Sequence, residues 1–409
     1  MSKKLEAYYG LPNEVKFCKK CVISNQRPSS TIEFKNEEGE IKKVINFNED
    51  GICSACVYQE EKEKNIGWEQ RDVKLRELLA QFRSTDGSYD VIVPGSGGKD
   101  SAYTAHILKY KYGMNPLTVT WSPHLYTDIG WKNMQEWMHT GGLDNILYTP
   151  NGKLHREMTK NAFHNLLHPF QPFIVGQRII GPAMAKKFNV KLVMYGENQA
   201  EYGNEIEENT NPIMNMDFFS SDDALSMKFG GVSMREYIDS GNYSKDDFAP
   251  YIPPNKKDLI DSGIEVHYLG YYLHWDPQEC YYYAVDNTGF EANPERTEGT
   301  YSKYSSIDDK IDPFHYYTTL IKFGIGRCTY DASQEVRNDK ITRDEAAYLI
   351  KKYDTEFPKK YFKEFLSYID STEDEFNKTI DKHRSPHIWK KVSDEWKLRH
   401  TVSKDGTDD

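Results

Sequence analysis

No apolar run approaches the 18 residues that a membrane-spanning helix requires, which excludes a helical span. Positive charge is also short: 52 Lys and Arg stand against 63 Asp and Glu, a net charge of −11. That balance repels phosphate backbones unless a basic face is segregated, so neither nucleic acid nor membrane is an expected partner. The opening Lys3-Lys4 runs into Leu-Glu-Ala-Tyr with no apolar signal region, and a cytoplasmic location is expected. There is no internal repeat, no dinucleotide G-x-G-x-x-G and no G-x-x-x-x-G-K-[ST] loop. No Ser-His-Asp or Cys-His constellation marks a covalent nucleophile. Hydrophobic residues reach only 38%, but aromatics at 13% make up the deficit and exclude a disordered chain. A chain of 409 residues can bury a sizeable core without disulfides and predicts two to three domains.

Cysteine is scarce, and its placement is therefore informative. Cys280 and Cys328 stand alone, whereas Cys18, Cys21, Cys53 and Cys56 form two C-x-x-C pairs with 31 residues between them. In a reducing compartment this pattern points to a metal. Four thiolates suit structural zinc, each pair forming one knuckle; an iron-sulfur cluster would use the same ligands.

The texture divides the chain into three parts. Residues 1–66 are rich in charge and turn residues and have too few apolar side chains for a core of their own. Strand-like pieces such as Lys42 to Phe47 would need the four thiols as a staple. Residues 67–310 contain short apolar runs at 90–94, 117–121, 145–148 and 191–195. Helical stretches near 101–112, 129–140, 153–167 and 175–188 alternate with them. This alternation predicts an α/β fold, a parallel twisted sheet with helices on both faces. The aromatic and polar stretch from about 202 to 310 reads as substrate-specific insertions. Residues 311–409 read as mainly helical, with a capping box at Thr342-Arg-Asp-Glu345, a further helix start at Ser371-Thr372 and a mobile polar tail from Ser403.

Between the first strand and its helix lies Ser96-Gly97-Gly98-Lys99-Asp100-Ser101. Consecutive glycines let several backbone N–H groups converge, and the helix start adds partial positive charge, so the loop suits a polyphosphate. Ligands of open parallel sheets sit beyond the carboxyl ends of the strands, here Pro94-Gly95, Thr120-Trp121 and Tyr195-Gly196. Trp121 reads either as a ligand contact or as a core aromatic. Glu197 and Glu201, just past a strand end, read either as site carboxylates or as solvated loop acids. Arg178, Lys303, Lys322 and Arg327 read either as anion contacts or as salt-bridge partners.

The run S-G-G-x-D-S resembles the signature of the PP-loop ATP pyrophosphatases. That resemblance implies cleavage of ATP to AMP and pyrophosphate, with Ser96, Gly97, Gly98 and Ser101 on the phosphates and Asp100 facing Mg2+. Lys99 fills the variable position. The resemblance also implies adenine contacts from Pro94, Gly95, Trp121 and Gly196. Further segments are similar to the N-acetyl sugar amidotransferases of bacterial surface-glycan biosynthesis: Phe173 to Ile180, Leu192 to Gly203, Gly299 to Lys310 and Ile325 to Arg337. With the opening Cys-Lys-Lys-Cys-Val, the likeness covers most of residues 18–355. It implies conversion of a sugar acetamido group to an acetamidino group through an adenylated intermediate, with ATP, Mg2+ and Zn2+ as the bound groups. Asp100, Lys99, Glu197, Glu201, Lys303 and Arg327 are the catalytic candidates. Neither Cys280 nor Cys328 has a local glutaminase motif, so the resemblance implies a separate glutaminase supplying ammonia to an N-acetylated sugar substrate. A tRNA-thiolating PP-loop enzyme is the alternative, since it would share the loop and the cysteines.

Overall fold

The computed structural model describes residues 5–29, 42–203 and 211–403. After helices α1 (Ser54–Lys64) and α2 (Trp68–Phe82), the chain enters a repeating strand-helix course. It runs β1 (Val91–Pro94), α3 (Lys99–Tyr110), β2 (Pro116–Trp121), α4 (Asp128–His139) and β3 (Asp144–Tyr148). It continues through α5 (Gly152–Leu166), α6 (Gln171–Phe188) and β4 (Leu192–Tyr195). A small hairpin follows, β5 (Lys228–Phe229) and β6 (Val232–Ser233), with α7 (Met234–Asp239) and α8 (Lys256–Ser262). Strand β7 (Glu265–Tyr268) then completes a five-stranded sheet of order β3-β2-β1-β4-β7, every pair parallel.

The central strands β1 and β4 are apolar on both faces because both faces are covered. Ile92, Leu117, Val119, Val193 and Val266 point into one core with α5 and α6. Their neighbours Val91, Val93, Leu192 and Met194 point into the other, with α3 and α4. Close approach sets one of these contacts: a Cβ on Gly176 of α6 would fall 2.2 Å from the Trp121 ring, so α6 lies directly on β2.

Four strands and their helices fall within a few residues of the sequence expectation. The fifth, β7, was not expected, because its run Glu265-Val-His-Tyr268 carries two polar residues; His267 is buried by hydrogen bonds to Tyr272 (2.9 Å) and Glu265 (2.8 Å). Residues 42–47 do not form a strand. They contribute single bridges, Val44 to Pro28 and Phe47 to Cys53. The N-terminal segment shares the main core, with Leu11, Ile23 and Ile45 in the same apolar cluster as Ile92.

Beyond α9 (Leu269–Tyr272) and α10 (Pro277–Thr288), the C-terminal region is mostly helical. Its helices are α11 (Asp312–Phe323), α12 (Arg327–Arg337), α13 (Arg343–Tyr353), α14 (Phe362–Tyr368) and α15 (Glu373–Lys382). A closing hairpin, β8 (Trp389–Val392) with β9 (Glu395–Leu398), is antiparallel. Capping boxes start α13 at Thr342 and α15 at Thr372, as their sequences predict. Phe314 and Phe365 stack at 4.3 Å, and Phe163 of α5 packs edge-on at 5.4 Å, which docks this region on the sheet domain. The polar tail after Ser403 lies outside the described residues.

Candidate functional site

The loop between β1 and α3 lies at the carboxyl edge of the sheet. Gly97 has φ +79°, and a Cβ there would sit 2.9 Å from Met134 Cα, so this position requires glycine. Gly98 caps α3 with no side-chain hydrogen bond, leaving the first N–H groups of the helix available to an anion. The loop floors a cavity of about 1140 Å³. Gly196, Glu197 and Tyr202 form one wall, Ser306, Asp308, Asp312 and Arg327 another, and Arg27, Ile45 and Ala55 of the N-terminal segment a third.

Charge in the cavity is organised in pairs. Lys99 Nζ lies 2.6 Å from Asp100 Oδ2, while Asp100 Oδ1 is buried with no hydrogen-bond partner. Against its burial, Asp100 and its neighbours hold the Lys99 ammonium above its ordinary range. Glu197 accepts a hydrogen bond of 2.7 Å from the Tyr202 hydroxyl. Burial first, and the nearby Asp100 second, push the Glu197 carboxyl up. Asp100 and Glu197, close enough to influence each other's charge beside the glycine loop, are a pair that fits a divalent cation. Asp308 of the C-terminal wall lines the same cavity as Ser96, and burial raises its carboxyl while Ser96 works against that rise. On that wall Arg327 donates to Asp331 (3.1 Å) and Ser306 (2.9 Å), with its guanidinium 4.1 Å from the Tyr316 ring centroid. Asp331 and Asp312 outweigh the burial that would lower it, so Arg327 is a fixed cation.

Of the residues singled out from sequence, Pro94, Gly95, Ser96, Gly97, Gly98, Lys99, Asp100, Ser101, Gly196, Glu197 and Arg327 line this one cavity, as do Arg178 and Lys322. Three do not. Trp121 is 2% exposed and packs in the core, stacked on Tyr148 at 6.1 Å, so the core-aromatic alternative describes it. Glu201 is buried in an ion pair with Lys62 at 3.0 Å. Lys303 is exposed and donates to the Pro294 carbonyl at 3.0 Å. Sequence reasoning missed Tyr202, Asp308 and Asp312. The two aspartates lie in or beside the quoted Gly299 to Lys310 segment, and that run of acids was the available signal.

The four clustered cysteines are fully buried, and their sulfurs all lie within 4.8 Å of one another. Cys18 and Cys56 are 3.9 Å apart, Cys21 and Cys53 3.7 Å. Cys18 Sγ accepts N–H bonds from Lys20 (3.4 Å) and Cys21 (3.4 Å) of its own knuckle and from Cys53 (3.3 Å) of the other, as a thiolate would. Burial pushes the Cys21 thiol up, so the cluster needs a cation to ionise fully. This is a metal-binding site, the one such group of His, Cys, Asp or Glu ligands among the described residues.

The central sheet is all-parallel, and the glycine loop between β1 and α3 opens at its carboxyl edge. Residues 298–402 match the family described as LPS biosynthesis protein WbpG-like, C-terminal domain. An uncharacterized protein of Methanocaldococcus jannaschii is 35% identical over 78 residues, which is 19% of this chain and 27% of that protein. The chain thus spans about a quarter of that relative's length. Among solved structures, NMN synthetase from Francisella tularensis is 12% identical with a TM-score of 0.29, covering 68% of this chain and 94% of that one. The U34-tRNA thiolase NcsA from Methanococcus maripaludis, solved with its 4Fe-4S cluster, is 12% identical with a TM-score of 0.29, covering 76% and 88%. Both likenesses are too distant to bear on chemistry.

Proposed function

We propose that this chain is an ATP-dependent, AMP-forming enzyme that converts the acetamido group of an N-acetylated glycan sugar to an acetamidino group. The observation that carries this reading is the composition of the cavity. The WbpG-like region, whose family name refers to lipopolysaccharide biosynthesis, supplies the wall that faces the phosphate loop.

An amide oxygen is a poor leaving group. Attack of that oxygen on the α-phosphorus of ATP expels pyrophosphate and leaves an O-adenylated imidate; ammonia then adds to the carbon, and AMP departs with the oxygen. The N–H groups of the loop and of the α3 start stabilise charge on the departing pyrophosphate. Magnesium bound with the nucleotide supplies further neutralisation, and Asp100, with its unpartnered Oδ1, is the carboxylate that fits it. Neither lone cysteine suits a glutaminase, since Cys280 and Cys328 are buried with thiols held up by that burial. The reading therefore includes a separate glutaminase as the source of ammonia.

The cysteine cluster favours a second reading, a tRNA-thiolating enzyme, and taken alone it fits that chemistry better than amidine formation, which uses no thiol. Two observations support zinc and a non-nucleic-acid substrate instead. Two of the sulfur pairs, at 3.7 and 3.9 Å, match the edge of a tetrahedron around one metal with bonds of about 2.3 Å, and all four sulfurs lie within 4.8 Å, whereas a cubane cluster would push its ligands farther apart. The net charge of −11 opposes binding to tRNA. The test is incubation with ATP, Mg2+, ammonium and a panel of N-acetylated sugars. AMP should accumulate together with a product lighter by about one dalton that carries a basic centre titrating above lysine. AMP formed only with tRNA and a sulfur donor would select the second reading.

A further inference from the structure

The Lys62–Glu201 ion pair has no place in the chemistry above, yet it is among the most deeply buried charge pairs in the molecule, at 0% and 3% side-chain exposure. Lys62 Nζ donates to both oxygens of Glu201 (3.0 and 3.1 Å) and to the Trp275 carbonyl (2.8 Å), using all three of its protons. The two residues belong to segments with different tasks. Lys62 lies on α1, whose cap is Cys53 and whose first turn contains Cys56. Glu201 lies on the short 3-10 turn Gln199–Tyr202, whose last residue donates its hydroxyl to Glu197 in the cavity. Two further bonds clamp the same turn to the same surroundings. Ser54 Oγ donates to the Gly203 carbonyl at 2.7 Å, and Arg337 donates to the Glu201 carbonyl at 3.1 Å.

We propose that Lys62 and Glu201 are positioning residues that tie the metal-loaded cysteine cluster to Glu197, by fixing the turn that aims Tyr202. Metal at the cluster orders the start of α1; α1 presents Lys62; Lys62 holds Glu201; and the turn then delivers the Tyr202 hydroxyl to Glu197. Loss of metal would release the turn without any direct contact between the metal and the nucleotide. The catalytic consequence rests on the proposed function, whereas the mechanical coupling does not.

Removing one partner would strand a buried charge and could unfold the chain, so the decisive variant is the apolar pair Lys62→Met with Glu201→Met, which removes both charges at similar volume. Two readouts are taken on the full chain. The first is amide hydrogen exchange at Glu201 and Gly203, whose N–H groups bond to Asn198 (3.1 Å) and Ala200 (3.0 Å). Exchange there should rise at least tenfold when a chelator strips the metal from the unmodified protein. It should be raised to the same degree in the pair variant while elemental analysis finds its metal content intact. The second is AMP formation. The pair variant should lose about tenfold in kcat with KM for ATP within twofold, Tyr202→Phe should lose a similar factor, and combining them should cost no more than either alone, because both act through one hydrogen bond. Unchanged exchange in the metal-loaded pair variant, or kinetic losses that multiply, would overturn the proposal. An unmodified protein that forms no AMP would remove the functional reading, and the exchange measurement would still decide the coupling.

Discussion

Lys99 Nζ and Asp100 Oδ2 lie 2.6 Å apart at the start of α3, and the second oxygen of Asp100 is left buried without a donor. An unsatisfied carboxylate oxygen beside a row of helix N–H groups costs stability unless a cation meets it. Asp100→Asn should therefore preserve folding, with a melting temperature equal to or above that of the unmodified chain. AMP formation should fall by at least a hundredfold. Retention of pyrophosphate release at the unmodified rate would remove Asp100 from the site.

Gly97 offers a test that changes no charge. Alanine there would meet Met134 Cα at 2.9 Å and would adopt a left-handed backbone at a cost of about 1 kcal/mol or more. Gly97→Ala should weaken ATP binding at least tenfold by calorimetry and lower the melting temperature by a few degrees. Gly152→Ala, with nothing within 4 Å of the added Cβ, is the control and should do neither.

The sheet and the glycine loop were legible in the sequence because their signals are local. Val91 to Pro94 is a β-branched run, and glycines follow it directly. The placing of Glu201 was not legible, because its partner Lys62 comes from a helix far away in the chain and nothing near either residue announces the pair. Trp121 shows the opposite failure. Its position at a strand end made it a ligand candidate, but the side chain alternation of β2 turns it into the core, where Gly176 makes room for its ring. The cysteine spacing foretold a shared site, and only the folded geometry brings the sulfurs to within 4.8 Å.

Metal removal should act on the N-terminal segment first. Cys53→Ser should lower the bound metal from one ion per chain, lower the melting temperature, and raise protease sensitivity between residues 5 and 29, because metal binding contributes to folding there. Elemental analysis of the unmodified protein should return zinc. Iron with inorganic sulfide in stoichiometric amount would contradict the tetrahedral reading of the sulfur separations.

The buried histidines should make stability fall with acid. His387 is buried between Ser385 Oγ (2.5 Å) and Gln26 Oε1 (3.0 Å), and burial lowers it from 6.5 to about 4. A histidine lowered in the folded state takes up its proton more readily when unfolded. Its contribution is thus complete above pH 6.5 and is lost as the pH falls toward 4. His155 and His315, also lowered by burial, act in the same sense. Urea unfolding should show a loss of about 2 kcal/mol between pH 7.5 and 5 from a single such group. An unchanged midpoint over that range would mean that these histidines take up protons in the folded chain as they do in the unfolded one.

The central claim is that the amide oxygen of an N-acetylated sugar attacks ATP, and the fate of that oxygen tests it most directly. A substrate sugar labelled with 18O in its acetamido carbonyl is incubated with ATP, Mg2+ and ammonium, and the AMP formed is analysed by mass spectrometry. The account predicts one 18O atom in the phosphate of each AMP and none in the amidino sugar. AMP free of label, or nucleotide recovered as ADP, would contradict it.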